Sequence, residues 1–87
     1  MPSDTQFKTT DSSLASFLIT SGHKLISIDY SQPRYELYFE ESPDIPTLKD
    51  LQNKFLLGTA LTNPSVFDKV NKKLLRIIRS QIQWEDD

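Results

Sequence analysis

The sequence predicts a small α+β domain of element order (β)αββαα, in which an antiparallel hairpin packs on helices. Between Phe7 and Phe39 the apolar residues change from a helical period to strict alternation, and two further amphipathic helical segments follow. The length of 87 residues suits one domain, so we treat 1–87 as a single unit. We expect frayed ends, with little order over residues 1–5 and a flexible tail over 83–87.

The first two elements are predicted to be a short edge strand and a helix. Residues 6–9 are expected to form the strand. Asp11 is expected to cap a helix over about residues 12–21, because its carboxylate can accept hydrogen bonds from the free N–H groups of the first turn. Gly22 stands where a helix commonly ends in the left-handed conformation.

A hairpin follows, and its register is predicted from one shared apolar face. Apolar and polar residues alternate in both strands, and a turn containing Pro33 joins them. The predicted pairs are Tyr30 with Tyr35, Ile28 with Leu37 and Ile26 with Phe39. A slip of one residue would expose all six side chains, so the register is strongly specified.

Two helices complete the domain. The second is predicted to begin near Ser42 or Pro46 and to end at Gly58. Its inner side carries Leu48, Leu51 and Phe55. The third is the longest element and is predicted to begin with Asn63 as its cap and Pro64 in its first turn. Its inner side carries Phe67, Val70, Leu74, Ile77 and Ile78.

Charge is distributed unevenly along the chain, although the formal net charge is only −2. Residues 1–48 carry three basic and seven acidic side chains, whereas residues 49–79 carry seven basic and two acidic ones. Five cations of helix 3 fall within an arc of about 120°. They are Lys69, Lys72, Lys73, Arg76 and Arg79. This stripe is the candidate nucleic-acid contact, although it is also typical of the solvated side of a long helix.

The C-terminal segment allows two interpretations. If helix 3 continues, Ile82 and Trp84 extend its apolar side and close the core. If it frays, the two residues form an exposed peptide that a protein partner can grip, since tryptophan is a favoured interface anchor.

No motif in the chain predicts catalysis or metal binding. The chain has no cysteine, and its two glycines cannot form a phosphate-binding glycine loop. The single histidine, His23, is interpreted as a structural or surface-exposed residue. Asp29 and Glu36 are predicted to face each other as solvated carboxylates on the outer side of the hairpin. Their charge is expected to be partly neutralised by Arg34 or Lys24. We therefore expect a non-enzymatic protein with no cofactor and no metal. A cytoplasmic location without membrane association is expected.

Three segments resemble a family of short uncharacterised proteins of bacteria and bacteriophages. They are the run from Phe7 to Leu18, which fits F-x-T-x-D-x-x-L-A-x-x-L, the sequence Gly22-His23-Lys24-Leu25, and the aromatic strand from Tyr35 to Phe39 with a late Phe67. The resemblance covers about residues 7–75. It implies a shared fold and a context in phages or mobile elements, and it implies no activity.

Two functional hypotheses follow from these patterns. The first is an accessory protein that contacts nucleic-acid phosphates through the basic stripe of helix 3. The alternative is a protein-interaction module, without nucleic acid, that acts through an open sheet edge or through Ile82 and Trp84. An open edge also favours a homodimer, because unpaired strand groups can pair with a second copy.

Overall fold

The computed structural model describes residues 7–31, 33–41, 46–58 and 62–84. The elements in chain order are β1 (Phe7–Thr9), α1 (Ser12–Thr20), β2 (Lys24–Asp29), β3 (Glu36–Glu40), α2 (Leu48–Leu56) and α3 (Pro64–Ser80). This is the predicted α+β order, including the short edge strand. The expected fraying of residues 1–5 and the helix start at Ser42 lie outside the described residues.

Helix α1 begins and ends as the sequence predicts. The Asp11 carboxylate accepts hydrogen bonds from the backbone N–H groups of Ser13 at 2.9 Å and Leu14 at 3.2 Å. At the other end Gly22 has a φ of 113°, which an L side chain rarely adopts. The N–H of His23 then donates to the Leu18 carbonyl at 3.1 Å, closing the helix end.

The middle of α1 is buried on all sides. Five consecutive residues, Leu14 to Leu18, are at most 3% exposed. The helix contacts β1, β2, α2 and α3, so four other elements share it as a common packing surface. A helix without a solvent-facing side is typical of a core element.

The sheet has the order β1-β3-β2, with antiparallel pairing throughout. Ile28 lies opposite Leu37 and Asp29 lies opposite Glu36, as predicted. The predicted pair of Ile26 with Phe39 is wrong, because Leu25 is the partner of Phe39. A β-bulge between Leu25 and Ser27 inserts one residue, and beyond it the inward positions of β2 shift by one.

The bulge exchanges the environments of two neighbouring side chains. Leu25 is 6% exposed and belongs to the core, whereas Ile26 is 47% exposed. Asp29 and Glu36 form the last pair of the β2–β3 ladder before the turn. Tyr30 and Tyr35, which were predicted to pair, therefore lie outside the ladder. Both tyrosines nevertheless pack partly against the core.

Helix α2 begins at Leu48, later than predicted, because Thr47 rather than an earlier residue is its cap. The Thr47 hydroxyl accepts a hydrogen bond from the Asp50 N–H at 3.1 Å, and the Glu41 carboxylate accepts one from the Leu48 N–H at 2.9 Å. Pro46 therefore precedes the helix. At the other end Gly58 has a φ of 75°, in agreement with its predicted position just past the helix.

Helix α3 has the predicted start and the predicted inner side. Asn63 caps it by accepting from the N–H groups of Ser65 and Val66, and Pro64 occupies the first turn. Leu74 and Ile77 are buried. Phe67 and Ile78 pack partly against the core.

The bulge predicts unequal losses of stability for alanine substitutions at two adjacent residues of similar size. Leu25→Ala should lower the free energy of unfolding by about 2–4 kcal/mol, because it leaves a cavity in the core. Ile26→Ala should lower it by less than about 1 kcal/mol, because Ile26 is half exposed. Chemical denaturation of both variants measures the difference, and a larger loss for Ile26→Ala would contradict the bulged register.

Candidate functional site

The candidate site is the outer side of α3. We call Lys69, Lys72, Lys73, Arg76 and Arg79 the basic face. Lys69, Lys72, Arg76 and Arg79 are exposed, and Lys73 is partly buried. The opposite side of the helix holds the buried Leu74 and Ile77, so burial of that side turns the basic face toward solvent. The structure thus brings the five predicted cations to one surface.

A polar contact joins α3 to α1. The hydroxyl oxygen of Ser16, on α1, is fully buried and lies 3.0 Å from the side-chain oxygen of Asn71 and 2.9 Å from the Ser12 carbonyl. The contact occurs in the orientation of α3 that buries Leu74 and Ile77 and leaves the basic face outside.

An exposed carboxylate pairs with one cation of the basic face. Lys72 Nζ lies 3.0 Å from Asp68 Oδ2, one helical turn earlier. Both side chains are exposed, so this ion pair is weak and a phosphate can replace it. Within the described ranges, no ion pair involves Lys69, Arg76 or Arg79.

An aromatic ring lies beside the basic face, which sequence reasoning did not foresee. Lys73 Nζ is 4.4 Å from the centroid of the Trp84 ring, a cation–π distance. The chain reverses at Gln81, whose φ is 56°, and this reversal returns Trp84 to the helix. Because Gln81 is neither glycine nor asparagine, its residue type does not indicate a left-handed conformation.

The segment after α3 is bound to the sheet. The Tyr30 hydroxyl donates to the Ile82 carbonyl at 2.6 Å and lies 3.2 Å from the Ile77 carbonyl. Burial raises the pKa of the Tyr30 phenol above its usual value, so the phenol stays a neutral donor. This contact links the end of β2 to the C-terminal turn of α3.

Gln83 pairs with the outer edge of β2 as a neighbouring strand would. Its side-chain oxygen accepts from the Ile28 N–H at 2.7 Å, and its side-chain nitrogen donates to the Ile28 carbonyl at 2.9 Å. Trp84 packs partly against the core, while Ile82 is exposed. Neither interpretation of this segment holds in full: the helix ends at Ser80 rather than continuing, Trp84 packs as the first interpretation predicted, and Ile82 does not join the core.

An apolar groove opens between the three helices. We call it the aromatic groove, and it has a volume of about 380 Å³. Its lining consists of Phe17, Phe55, Thr62, Pro64, Phe67 and Asp68. The rings of Phe17 and Phe55 stack with centroids 5.9 Å apart. The sequence predicted that Phe55 and Phe67 lie on the inner sides of their helices, but it did not predict the groove, because the shape of the groove depends on how the helices meet.

His23 is placed as a structural residue. Its side chain is fully buried, and Nε2 lies 2.8 Å from the Pro46 carbonyl. A carbonyl can only accept, so Nε2 carries the proton. Glu41 Oε2 lies 4.0 Å from the same nitrogen, so the end of α1 is tied to the segments on both sides of residues 42–45.

The facing carboxylates of the hairpin have different partners from those predicted. Lys8 of β1 pairs with Glu36 at 3.6 Å, in place of Arg34 or Lys24. Hydrogen bonds from the Ser31 hydroxyl and N–H hold the pKa of Asp29 below its usual value. The pKa of the Tyr38 phenol is raised, first by its hydrogen bond to Glu36. The hydrogen bonds and the ion pair explain how the carboxylates of Asp29 and Glu36 are accommodated side by side on the surface of the sheet.

Two further observations concern the described part of the chain. No group of three His, Cys, Asp or Glu side chains comes close enough there to hold a metal ion. None of its helices has the length and apolar character needed to span a bilayer.

Comparison of the chain with protein-family models, with curated proteins and with solved structures found no match. The function must therefore be argued from the surface just described.

The pairing of Gln83 with Ile28 predicts a pH-dependent loss of stability in an isosteric variant. Gln83→Glu replaces a donor with an oxygen that faces the Ile28 carbonyl, so at pH 7 it should cost about 1 kcal/mol. The protonated acid can donate, so the fold raises its pKa above the unfolded value of about 4.3. The loss should therefore appear as the pH rises through this folded pKa and shrink toward pH 4.

Thermal melts at pH 4 and pH 7 measure this effect. Gln81→Glu is the matched control, because it makes the same charge change two residues earlier at an exposed side chain. Equal behaviour of the two variants at both pH values would contradict the role of Gln83 at the sheet edge.

Proposed function

We propose that this protein is a non-enzymatic accessory protein that binds nucleic acid through the basic face of α3. The observation that carries the proposal is the exposure of Lys69, Lys72, Arg76 and Arg79 on one regular helix whose opposite side is buried. Lysine and arginine side chains attract phosphates independently of base sequence. The basic face is about 15 Å long at 1.5 Å per residue, enough for several successive phosphates.

The net charge of −2 does not oppose this proposal, because binding depends on the local field. Seven of the twelve acidic residues lie in residues 1–48, and in residues 49–79 the basic side chains outnumber the acidic ones by seven to two. Lys72 can leave its weak, exposed ion pair with Asp68 and contact a phosphate with little loss of free energy.

A protein-interaction module is the second candidate function. It is favoured by the exposure of two large apolar side chains at the end of α2, Leu56 at 70% and Leu57 at 77%. Exposed apolar surface of this kind is typical of contact surfaces. The packing of Gln83 and Trp84 makes the sheet edge at β2 and the C-terminal segment weaker candidates for such contacts than the sequence suggested.

Charge reversal on the basic face tests the proposal. The variant Lys69→Glu, Lys72→Glu, Arg76→Glu retains Lys73, which contacts Trp84. It should lose detectable binding to 20-nucleotide DNA and RNA at 50 mM salt, measured by fluorescence anisotropy. For the native protein, four phosphate contacts predict a fall in affinity of about 50- to 150-fold between 50 and 200 mM salt.

The matched control is Lys24→Glu, Arg34→Glu, Lys49→Glu, which makes the same charge change at exposed positions on other elements. This control should retain most of the affinity. Absence of native binding to duplex DNA, single-stranded DNA and RNA at 50 mM salt would refute the proposal. Equal losses in the two triple variants would also refute it, since only net charge would then matter.

A further inference from the structure

The aromatic groove and the basic face share a border on α3. Asp68 lines the groove, and Lys72 of the basic face contacts it at 3.0 Å. Pro64 and Phe67, which also line the groove, lie on the same helix, five and two residues before Lys69. A ligand that contacts Lys72 therefore lies next to Asp68, at the border of the groove.

The groove has the chemistry that an unpaired nucleobase requires. Phe55 and Phe67 are partly buried, so their rings are accessible in part, while the buried Phe17 ring supports Phe55 from behind. Aromatic faces stack on bases of any sequence. The Asp68 carboxylate and the Thr62 hydroxyl add acceptors for base N–H groups, and the volume of about 380 Å³ is within the range of small-ligand pockets.

We propose that the nucleic acid is single-stranded and that the aromatic groove holds one of its unpaired bases while the basic face contacts the adjacent phosphates. This inference rests on the proposed function and specifies its ligand. In a duplex, both faces of each base are already stacked, so no base can enter the groove without being flipped out. Single strands offer free bases, and proteins that bind them combine cationic grooves with aromatic rings.

The occupant is inferred from charge complementarity. An apolar peptide or a neutral small molecule would fill the groove but would supply no anionic group for the exposed cations of the basic face. A single strand supplies a planar apolar group and a negatively charged backbone in one molecule, matching both parts of the surface.

The test compares two 12-nucleotide single-stranded DNA oligomers with the same number of phosphates. One is oligo(dT), and the other carries abasic sites throughout. The native protein should bind oligo(dT) about 5- to 150-fold more tightly, the range that stacking of one base provides. Fluorescence anisotropy at 50 mM salt measures both affinities.

A double variant assigns the preference to the groove. Phe55→Leu, Phe67→Leu keeps apolar side chains but removes both accessible rings, so it should bind the two oligomers equally and retain the native affinity for the abasic one. Tyr35→Leu is the control, because Tyr35 is a partly buried aromatic residue in the hairpin. It should preserve the preference. Circular dichroism melts verify that each variant is folded.

Native protein provides an independent readout if a variant does not fold. Nuclear Overhauser contacts between the Phe55 or Phe67 ring protons and the thymine protons should appear in the oligo(dT) complex.

Equal native affinity for the two oligomers would overturn this inference and leave phosphate binding intact. A preference that survives Phe55→Leu, Phe67→Leu would place the base elsewhere. Absence of binding to either oligomer would overturn the proposed function as well.

Discussion

The burial of α1 is the constraint on which the rest of the structure depends. Five consecutive residues of this helix, Leu14 to Leu18, are almost completely removed from solvent. A helix of nine residues gains little stability from its own hydrogen bonds, so its stability must come from packing. Burial on all sides requires neighbours on all sides, and β1, β2, α2 and α3 supply them.

The position of the candidate site follows from this arrangement. Leu74 and Ile77 of α3 are buried in the core, and Asn71 of the same helix contacts Ser16 of α1. The basic face then has no orientation other than toward solvent. The same packing leaves the aromatic groove where the three helices meet, beside Asp68. The two parts of the surface therefore have one structural origin.

Sequence reasoning succeeded where the signal is local. The caps at Asp11 and Asn63, the glycine ends at Gly22 and Gly58, and the two sides of α3 depend on residue types at fixed spacing. The hairpin itself and the pairing of Ile28 with Leu37 were also predicted correctly.

Features that depend on tertiary contacts were not predictable. The bulge at Ile26 has no glycine to signal it, and alternation alone placed this residue in the core. The left-handed conformation of Gln81 also lacks its usual glycine, so the return of Trp84 to Lys73 was missed. The groove requires three phenylalanines from three helices, and their proximity follows only from the packing around α1.

The central claim is that the basic face and the aromatic groove form one nucleic-acid surface. Titration of ¹⁵N-labelled native protein with a 12-nucleotide single-stranded DNA, followed by amide chemical shifts, tests it most directly. Our account predicts saturable shifts that concentrate on residues 66–79 of α3 and on the end of α2 around Phe55. Shifts concentrated on the sheet, around Lys8 and Lys24, or no saturable shifts at 50 mM salt, would contradict it.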